Sequence, residues 1–281
     1  MIKAACIQLN VSADIDENLE QASKLIREAA GAGATLIATP ENTDYIRRYA
    51  KEKLEISGDE NTHKPISFYA SLAEELGVWL LIGSLGVKIS DNQLANRTHL
   101  FSPKGALIAH YDKIHMFDVK LSRKEFYRES ADYKAGARAV IADMDIEGED
   151  KPVKLGMSIC YDVRFPHLHR DLAKEGAQII SIPAAFTVPT GRAHWEVLLR
   201  ARAIETGCFI IAPAQVGEHE AGRMTYGHSM IIAPWGDVLA QAGGDMPQII
   251  YADIDLEDVK KARNSIPALT HDKPYEIITA P

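Results

Sequence analysis

Strand-like and helix-like segments alternate along the chain, and they do so in two separate stretches. The first stretch covers residues 2–84 and the second covers residues 153–212. In the first, an apolar strand over residues 2–8 precedes a helix over residues 14–30, whose apolar residues recur at helical spacing. A section rich in predicted hairpins follows each stretch. This order predicts an α/β fold in which layered sheets carry helices on their outer faces.

The composition is that of an ordinary globular chain with an acidic surface. Hydrophobic residues make up 46% and charged residues 25% of the 281 positions. The formal net charge is −8 and there is no run of basic residues, so nucleic acid is not expected as a partner. The longest apolar runs, residues 78–87 and 209–216, are too short to span a bilayer, so no membrane partner is predicted.

No linker, low-complexity tract or shift in composition divides the chain. We therefore predict one domain over residues 1–281, in which residues from about 263 to 281 form an extended tail that packs on another surface, such as a partner subunit. The three cysteines are widely spaced and form no disulfide framework. Because a free thiol survives in a reducing compartment, a cytoplasmic location is predicted.

Three chemically reactive residues, Glu41, Lys113 and Cys160, each come just after a predicted apolar strand. Ligands gather at the carboxyl ends of strands in α/β proteins, so these three side chains can converge. A thiol needs a neighbouring base or cation to act as a nucleophile, and a carboxylate in a dry site can take its proton. An ammonium beside them can stabilise an oxyanion, and the backbone N–H of Tyr161 is a candidate second donor. The set indicates amide hydrolysis.

Other residues of the chain leave some alternatives open. Cys6 and Cys208 lie inside apolar strands and are predicted to be buried. A histidine-assisted cysteine hydrolase would use His115 or His228 as its base. Asp162 stands where an α/β-hydrolase elbow needs a small residue, which argues against that fold. The sequence has no HExxH motif, P-loop or dinucleotide fingerprint, so neither a metal nor another cofactor is predicted.

The reactive residues lie in three ordered segments: Pro-Glu-Asn at 40–42, Lys-Ile-His-Met-Phe-Asp at 113–118 and Cys-Tyr-Asp-Val-Arg-Phe-Pro at 160–166. These segments resemble those of one known family, the nitrilase superfamily of carbon–nitrogen hydrolases. Further blocks at 191–205, 226–229 and 234–236 extend the resemblance over nearly the whole length.

The resemblance implies an α/β fold of four layers, an α-β-β-α sandwich, whose subunits pair into a homodimer or higher homo-oligomer through a sheet-extending interface. It also implies a Glu-Lys-Cys triad. In that triad Glu41 is the general base, Lys113 stabilises the oxyanion and handles protons, and Cys160 is the nucleophile. Glu129 matches a second glutamate that positions the substrate amine and Lys113. The expected partners are a small-molecule amide substrate and water.

Two segments favour one branch of the superfamily. The block at 160–166 and Phe-Thr-Val-Pro-Thr-Gly at 186–191 look most like omega-amidases and deaminated-glutathione amidases. That branch hydrolyses amides of dicarboxylates, including those of 2-oxo acids. Residues 121–124 depart from the branch pattern, and so does the tail segment 266–273, which is more acidic than the usual arginine-rich form. An N-carbamoyl or aliphatic amide hydrolase on the same triad, and a catalytically silent binding protein on this fold, are therefore alternatives.

An anionic substrate needs a cationic clamp, and Arg164 is the candidate that the sequence offers. Arg164 can instead pair structurally with Asp162 or with another carboxylate. By the same resemblance, Tyr161, Phe186 and Thr187 complete the predicted substrate-positioning set.

Overall fold

Two six-stranded β-sheets lie face to face in the computed structural model of the protein, which describes residues 1–121 and 126–279. The strands are β1 (Ile2–Gln8), β2 (Leu36–Ala38), β3 (Trp79–Ser90), β4 (Gln93–Phe101), β5 (Leu107–Asp112), β6 (Asp118–Lys120), β7 (Phe126–Arg128), β8 (Val140–Met144), β9 (Val153–Met157), β10 (Ile179–Ser181), β11 (Phe209–Ala212), β12 (Val216–Glu218), β13 (Met224–Tyr226), β14 (Met230–Ile232), β15 (Val238–Gln241) and β16 (Gln248–Ile254). The α-helices are α1 (Ile15–Gly31), α2 (Ala50–Ile56), α3 (Lys64–Leu76), α4 (Pro166–Lys174), α5 (Val188–Thr206) and α6 (Leu256–Ser265).

The two sheets have matching connectivity. The first has the order β16-β1-β2-β3-β4-β5, and the second has the order β15-β14-β11-β10-β9-β8. The strands β1, β2 and β3 are parallel in the first sheet, as are β9, β10 and β11 in the second, and antiparallel strands flank both sets. Parallel neighbours need crossover connections, which the helices supply. The carboxyl ends of the parallel strands therefore lie together at one edge of each sheet.

Strand β1 shows how the chain distributes apolar residues between two cores. Ile2, Ala4 and Cys6 belong to the cluster that the first sheet shares with the second. Ala5 and Ile7 belong to the cluster that the first sheet forms with α1 and α3. Successive side chains of a strand point to opposite faces, so an uninterrupted apolar run indicates a strand that is covered on both faces.

The helices form the two outer layers. Helices α1 and α3 pack on the first sheet, and α4 and α5 pack on the second. The resulting order is helices, sheet, sheet and helices, which confirms the predicted α/β fold and its four-layer α-β-β-α sandwich.

Some elements differ from their sequence-based expectations. The sequence pattern predicts a helix over residues 192–206. Helix α5 instead begins at Val188, because Pro189 occupies the first helical turn, where its missing N–H is tolerated. The apolar pattern does not reveal α2, which has no buried residue and therefore no apolar stripe. Residues 111–136 are polar and aromatic with little periodicity, which is typical of a long connection, but they contain the short strands β6 and β7.

The expected extended tail begins inside a helix. Helix α6 continues to Ser265, a short 3₁₀ turn covers Ala268–Thr270, and most of the following residues to 279 are exposed. Asp272 holds the tail to α4, because its carboxylate pairs with Arg170 at 2.6 Å and with Lys174. The tail therefore packs on its own chain at this point.

The divergent segment at residues 121–124 lies, apart from Leu121, outside the described residues. In the part of the chain that the structure describes, no helix has both the length and the apolar character needed to cross a membrane.

Gly83 of β3 allows the two sheets to approach closely beneath the loop that carries Glu41. A Cβ atom at Gly83 would lie 2.1 Å from Thr39 O and 2.5 Å from Pro183 Cβ. We expect Gly83→Ala to lower the free energy of unfolding by about 2 kcal/mol or more, because backbone must move to admit the methyl group. Urea denaturation measures this difference.

The matched control for Gly83→Ala is Gly31→Ala at the end of α1. A Cβ atom at Gly31 would have no neighbour within 4 Å. We expect this variant to differ from the parent by less than about 0.5 kcal/mol. Equal stability of the two variants would show that the close approach at Gly83 is not a constraint on the fold.

Candidate active site

Strand ends from both sheets meet at a cavity of about 580 Å³. Glu41 follows β2 and Lys113 follows β5 in the first sheet, whereas Cys160 follows β9 in the second. All three side chains line this cavity, and so does Glu129. The fold thus brings together residues that are widely separated in sequence, because each follows a strand whose end lies at this edge.

The Lys113 ammonium lies between two carboxylates. Its Nζ donates to Glu41 Oε1 at 2.7 Å and to Glu129 Oε2 at 2.8 Å, and its side chain is only 2% exposed. Asn96 Nδ2 donates to Oε1 of both carboxylates at 2.9 Å. Burial opposes a charged lysine, but Glu129 and Glu41 outweigh it and raise the pKa of Lys113 well above its ordinary value. The side chain therefore remains an ammonium.

Cys160 begins a 3₁₀ turn over Cys160–Arg164 and has a φ of +50°, in the left-handed region that few residues other than glycine adopt. Its backbone N–H donates to Pro183 O at 2.9 Å, which helps to hold this conformation. Burial and the nearby Glu41 carboxylate raise the pKa of the Cys160 thiol well above its ordinary value. The thiol is therefore protonated at neutral pH.

Glu41 lines the same cavity as that thiol. Its Oε2 accepts the Ala185 N–H at 2.9 Å, and its negative charge acts on the neighbouring thiol. Burial alone would raise the pKa of Glu41, but Lys113 and more weakly Arg223 lower it below its ordinary value. The resting site therefore holds a carboxylate, an ammonium and a protonated thiol in one cavity.

Three more of the predicted residues, Tyr161, Phe186 and Thr187, also line the cavity. Tyr161 is the second residue of the 3₁₀ turn, where a backbone N–H has no acceptor within the turn. This N–H can donate to an oxyanion that forms beside Cys160.

Arg164 contacts the cavity walls but is not among the described residues that line the cavity. Its guanidinium carbon lies 5.8 Å from the centroid of the Tyr161 ring and 5.4 Å from that of Phe186. Both terminal nitrogens lie 3.3 Å from Nδ1 of His194. The position indicates that Arg164 braces two aromatic walls, and a direct contact with substrate stays a prediction.

Asp162, the alternative partner considered for Arg164, instead joins the lysine segment to the cysteine turn. Its fully buried carboxylate accepts from Tyr111 Oη at 2.7 Å, from the His115 N–H at 3.0 Å and from His115 Nδ1 at 2.7 Å. It also accepts the Ile159 N–H at 2.9 Å. Because these partners lie on both sides of Lys113 and next to Cys160, Asp162 fixes the two segments relative to each other.

The histidine alternative finds no support in the geometry. Neither His115 nor His228 is among the described residues that line the cavity. Cys6 and Cys208 are fully buried, as predicted. In residues 1–121 and 126–279, no group of three or more histidine, cysteine, aspartate or glutamate side chains is arranged to hold a metal ion.

The sequence does not reveal the basic residues that surround Glu41, Lys113 and Cys160. The cavity is also lined by Arg47, Arg48, Lys53, Arg128 and Arg223. These residues lie in loops, in a short strand and in α2, and no spacing or motif marks them in the sequence. Only the fold brings them to one cavity.

A model of the carbon–nitrogen hydrolase family matches residues 3–264 of the chain. The chain belongs to the carbon–nitrogen hydrolase family. This match confirms the resemblance seen in the sequence.

Similar members of the carbon–nitrogen hydrolase family also support the predicted branch, which contains the deaminated-glutathione amidases. The deaminated glutathione amidase of Synechocystis sp. (strain PCC 6803 / GT-S) is 40% identical over 270 residues, which cover 95% of this chain and 97% of that protein. The deaminated glutathione amidase of Mus musculus is 39% identical over 274 residues, which cover 96% of this chain and 83% of that protein.

A solved structure confirms the fold of this carbon–nitrogen hydrolase. The crystal structure of the C. elegans NitFhit protein superposes with a TM-score of 0.88 at 36% identity. The match covers 97% of this chain, but the chain spans only 65% of that longer protein.

The contacts of Asp162 lead to a prediction about this hydrolase. In Asp162→Asn, an amide NH₂ would face N–H and O–H donors where a carboxylate oxygen now accepts. We expect a loss of about 2–3 kcal/mol in the free energy of unfolding and a fall in kcat that exceeds any change in KM, because Lys113 and Cys160 lose their common anchor.

Tyr111→Phe is the matched control, because it removes one donor to the carboxylate and leaves the carboxylate in place. It also removes the acceptor of the Ile114 N–H, a longer hydrogen bond of 3.2 Å. Its cost should be about 1 kcal/mol. Urea denaturation and steady-state kinetics check both variants. If Asp162→Asn were as stable and as active as the parent, Asp162 would not be a positioning residue.

Proposed function

We propose that this protein is an amidase that hydrolyses a linear amide of a small carboxylate-bearing substrate through a thioester on Cys160. Deaminated glutathione and the omega-amides of 2-oxo acids are the substrates that fit this proposal. The observation that carries it is that Glu41, which accepts a hydrogen bond from the Lys113 ammonium at 2.7 Å, lines the same cavity as Cys160.

In the first half of the reaction, Cys160 Sγ attacks the amide carbonyl carbon while Glu41 takes the thiol proton. The carbonyl oxygen becomes an oxyanion, which the Lys113 ammonium and the Tyr161 N–H stabilise. When the intermediate collapses, the C–N bond breaks and protonated Glu41 gives its proton to the leaving amine. The products of this half are ammonia or an amine and an acyl thioester on Cys160.

In the second half, water occupies the place of the departed amine. Glu41 takes a proton from this water as its oxygen attacks the thioester carbonyl. Lys113 and the Tyr161 N–H stabilise the second oxyanion in the same way. Collapse breaks the C–S bond, releases the carboxylic acid and returns the proton to the Cys160 sulfur.

The role of Glu129 follows from its contacts. It accepts from Lys113 Nζ and from the Phe117 N–H at 2.7 Å, so it is held in one orientation. A carboxylate so placed keeps Lys113 charged and directed at the cavity. The same carboxylate can orient a substrate amide N–H.

A substrate panel tests the function. Deaminated glutathione, alpha-ketoglutaramate, an N-carbamoyl amino acid and a simple nitrile are compared by following the release of acid, ammonia or peptide. We expect turnover of the first two at rates well above the others. Preference for the N-carbamoyl compound or for an uncharged aliphatic amide would favour the alternative amidase reactions.

Two variants test the residues in this reaction. Cys160→Ala should abolish turnover without change in the unfolding curve, and Glu41→Gln should lower kcat by a factor of about 10³ or more because it removes the base. Unchanged turnover by Cys160→Ala would overturn the mechanism. Slow alkylation of Cys160 by iodoacetamide, no faster than that of Cys6 and Cys208, would favour a silent binding protein.

The pH dependence separates a carboxylate base from a histidine base. Because Lys113 lowers the pKa of Glu41 below its ordinary value of 4.5, its basic form is present throughout the neutral range. We therefore expect kcat/KM for an uncharged amide to be constant between about pH 6 and 8. A fall centred near pH 6.5, where a free histidine titrates, would contradict the assignment of Glu41.

A further inference from the structure

Basic side chains outnumber acidic ones around the active-site cavity, although the protein has a net charge of −8. Among the described residues that line the cavity, six are lysine or arginine and four are glutamate or aspartate. A positive cleft in an acidic protein indicates an anionic ligand. At least one of these six cations is therefore expected to contact a substrate anion.

Three of the six cations already have carboxylate partners. Lys113 lies between the two glutamates described above. Lys53 Nζ lies 2.6 Å from Asp132 Oδ2, and Arg47 Nη1 lies 3.6 Å from Glu52 Oε2. Carboxylates of the protein compensate their charges, so these three residues do not supply the excess positive charge that would bind a substrate anion.

The other three are Arg48, Arg128 and Arg223, and none has a carboxylate within 4.0 Å among the described residues. Arg48 and Arg128 are exposed, whereas Arg223 is partly buried. A charge–charge contact is worth most where water is excluded. Arg223 is therefore the cation best placed to bind an anion tightly.

The guanidinium of Arg223 has N–H donors that make no hydrogen bond to the described residues. Its carbon lies 5.9 Å from the centroid of the Tyr127 ring, and Nη2 donates to Ala185 O at 3.3 Å. Its Nε is buried and has no acceptor among the residues that the structure describes. Since a guanidinium carries five N–H donors, most of those on Arg223 are free to meet a planar, two-oxygen acceptor.

Ala185 links Arg223 to the reaction centre. Its carbonyl accepts from Arg223, while its N–H donates to Glu41 Oε2. Arg223, Ala185 and Cys160 line the same cavity. An acyl chain on Cys160 can therefore extend toward the guanidinium.

The hairpin that carries Arg223 is held rigidly. His219 Nδ1 donates to Val11 O at 2.8 Å, and Thr225 Oγ1 donates to His219 Nε2 at 2.7 Å. Burial lowers the pKa of His219 to about 4, which keeps it in this neutral form. The His219 N–H also donates to Arg223 O at 2.8 Å. Arg223 is thereby positioned before substrate binds, which reduces the entropy lost on binding.

We propose that Arg223 binds the carboxylate at the far end of the acyl group, and so determines the specificity for omega-amides of dicarboxylic acids. The inference rests on the proposed amidase function and names the part of the substrate that this site recognises. Arg223 thus takes the role of binding the substrate carboxylate, which the sequence alone suggested for Arg164.

The test compares two substrates of nearly equal shape. Glutaramate carries a carboxylate at the end of its acyl chain, and glutaramide carries an uncharged amide there. We expect the parent enzyme to prefer glutaramate, and Arg223→Gln to reduce the ratio of the two kcat/KM values on the order of 100-fold. Arg223→Lys keeps the charge but loses the two-point contact. Its ratio of kcat/KM values should therefore lie between that of the parent enzyme and that of Arg223→Gln.

Two further variants serve as controls. Arg27→Gln makes the same change at an exposed arginine of α1 that pairs with Glu75, and it should leave the ratio unaltered. If Arg164→Gln reduced the ratio and Arg223→Gln did not, the inference would be wrong. An equal loss on both substrates in Arg223→Gln would also overturn it, because the effect would then act through Glu41 and not on the carboxylate.

A binding measurement separates this inference from the proposed function. Isothermal titration of glutarate into Cys160→Ala should give binding that is lost in Cys160→Ala/Arg223→Gln. If neither amide nor deaminated glutathione is hydrolysed but this difference in binding remains, the amidase proposal fails and the anion site stands. If glutarate binds equally to both proteins, the site proposed for Arg223 is refuted even if amides are hydrolysed.

Discussion

The site depends on one buried ammonium held between two carboxylates. Without Lys113, Glu41 and Glu129 would be two negative charges in a cavity from which water is largely excluded. Removing one partner of such a buried set typically costs about 3–5 kcal/mol, because the remaining charges have no compensation. Lys113 thus allows Glu41 to be ionised inside the protein. In the proposed reaction, the ionised Glu41 takes the proton of the Cys160 thiol.

This arrangement requires both sheets. Glu41 and Lys113 follow strands of the first sheet, and Cys160 follows a strand of the second. The four-layer packing sets the separation of the sheets, and Gly83 permits a close approach between them. Asp162 then joins the lysine segment to the cysteine turn through buried hydrogen bonds. A change in sheet packing would therefore alter the distance between Glu41 and Cys160 directly.

The sequence predicted the layers because their signals are local. An apolar strand followed by an amphipathic helix can be recognised from a short segment of sequence, and so can a reactive residue that follows a strand. Helix α2 was missed because it buries no residue, and the strands β6 and β7 because each has only three residues. Such elements are defined by contacts with the rest of the protein rather than by their own pattern.

The distinction between local sequence signals and contacts made in the fold applies to the site as well. Glu41, Lys113 and Cys160 lie in recognisable sequence segments, so the sequence identifies them as candidates. Arg223 lies in no such segment, and it reaches the cavity only because a hairpin anchored by His219 carries it there. Arg164 looked suitable by its closeness to Cys160 in sequence, yet its guanidinium lies against two aromatic rings. Closeness in sequence does not fix the direction of a long side chain.

The central claim is that every substrate passes through one acyl thioester on Cys160. It is tested most directly by partitioning with hydroxylamine. A series of amides with the same acyl group and different amines is hydrolysed at a fixed hydroxylamine concentration, and the ratio of hydroxamate to free acid is measured. A common thioester predicts the same ratio for every amine. A ratio that changes with the leaving amine would show that water attacks the amide directly, and it would contradict this account.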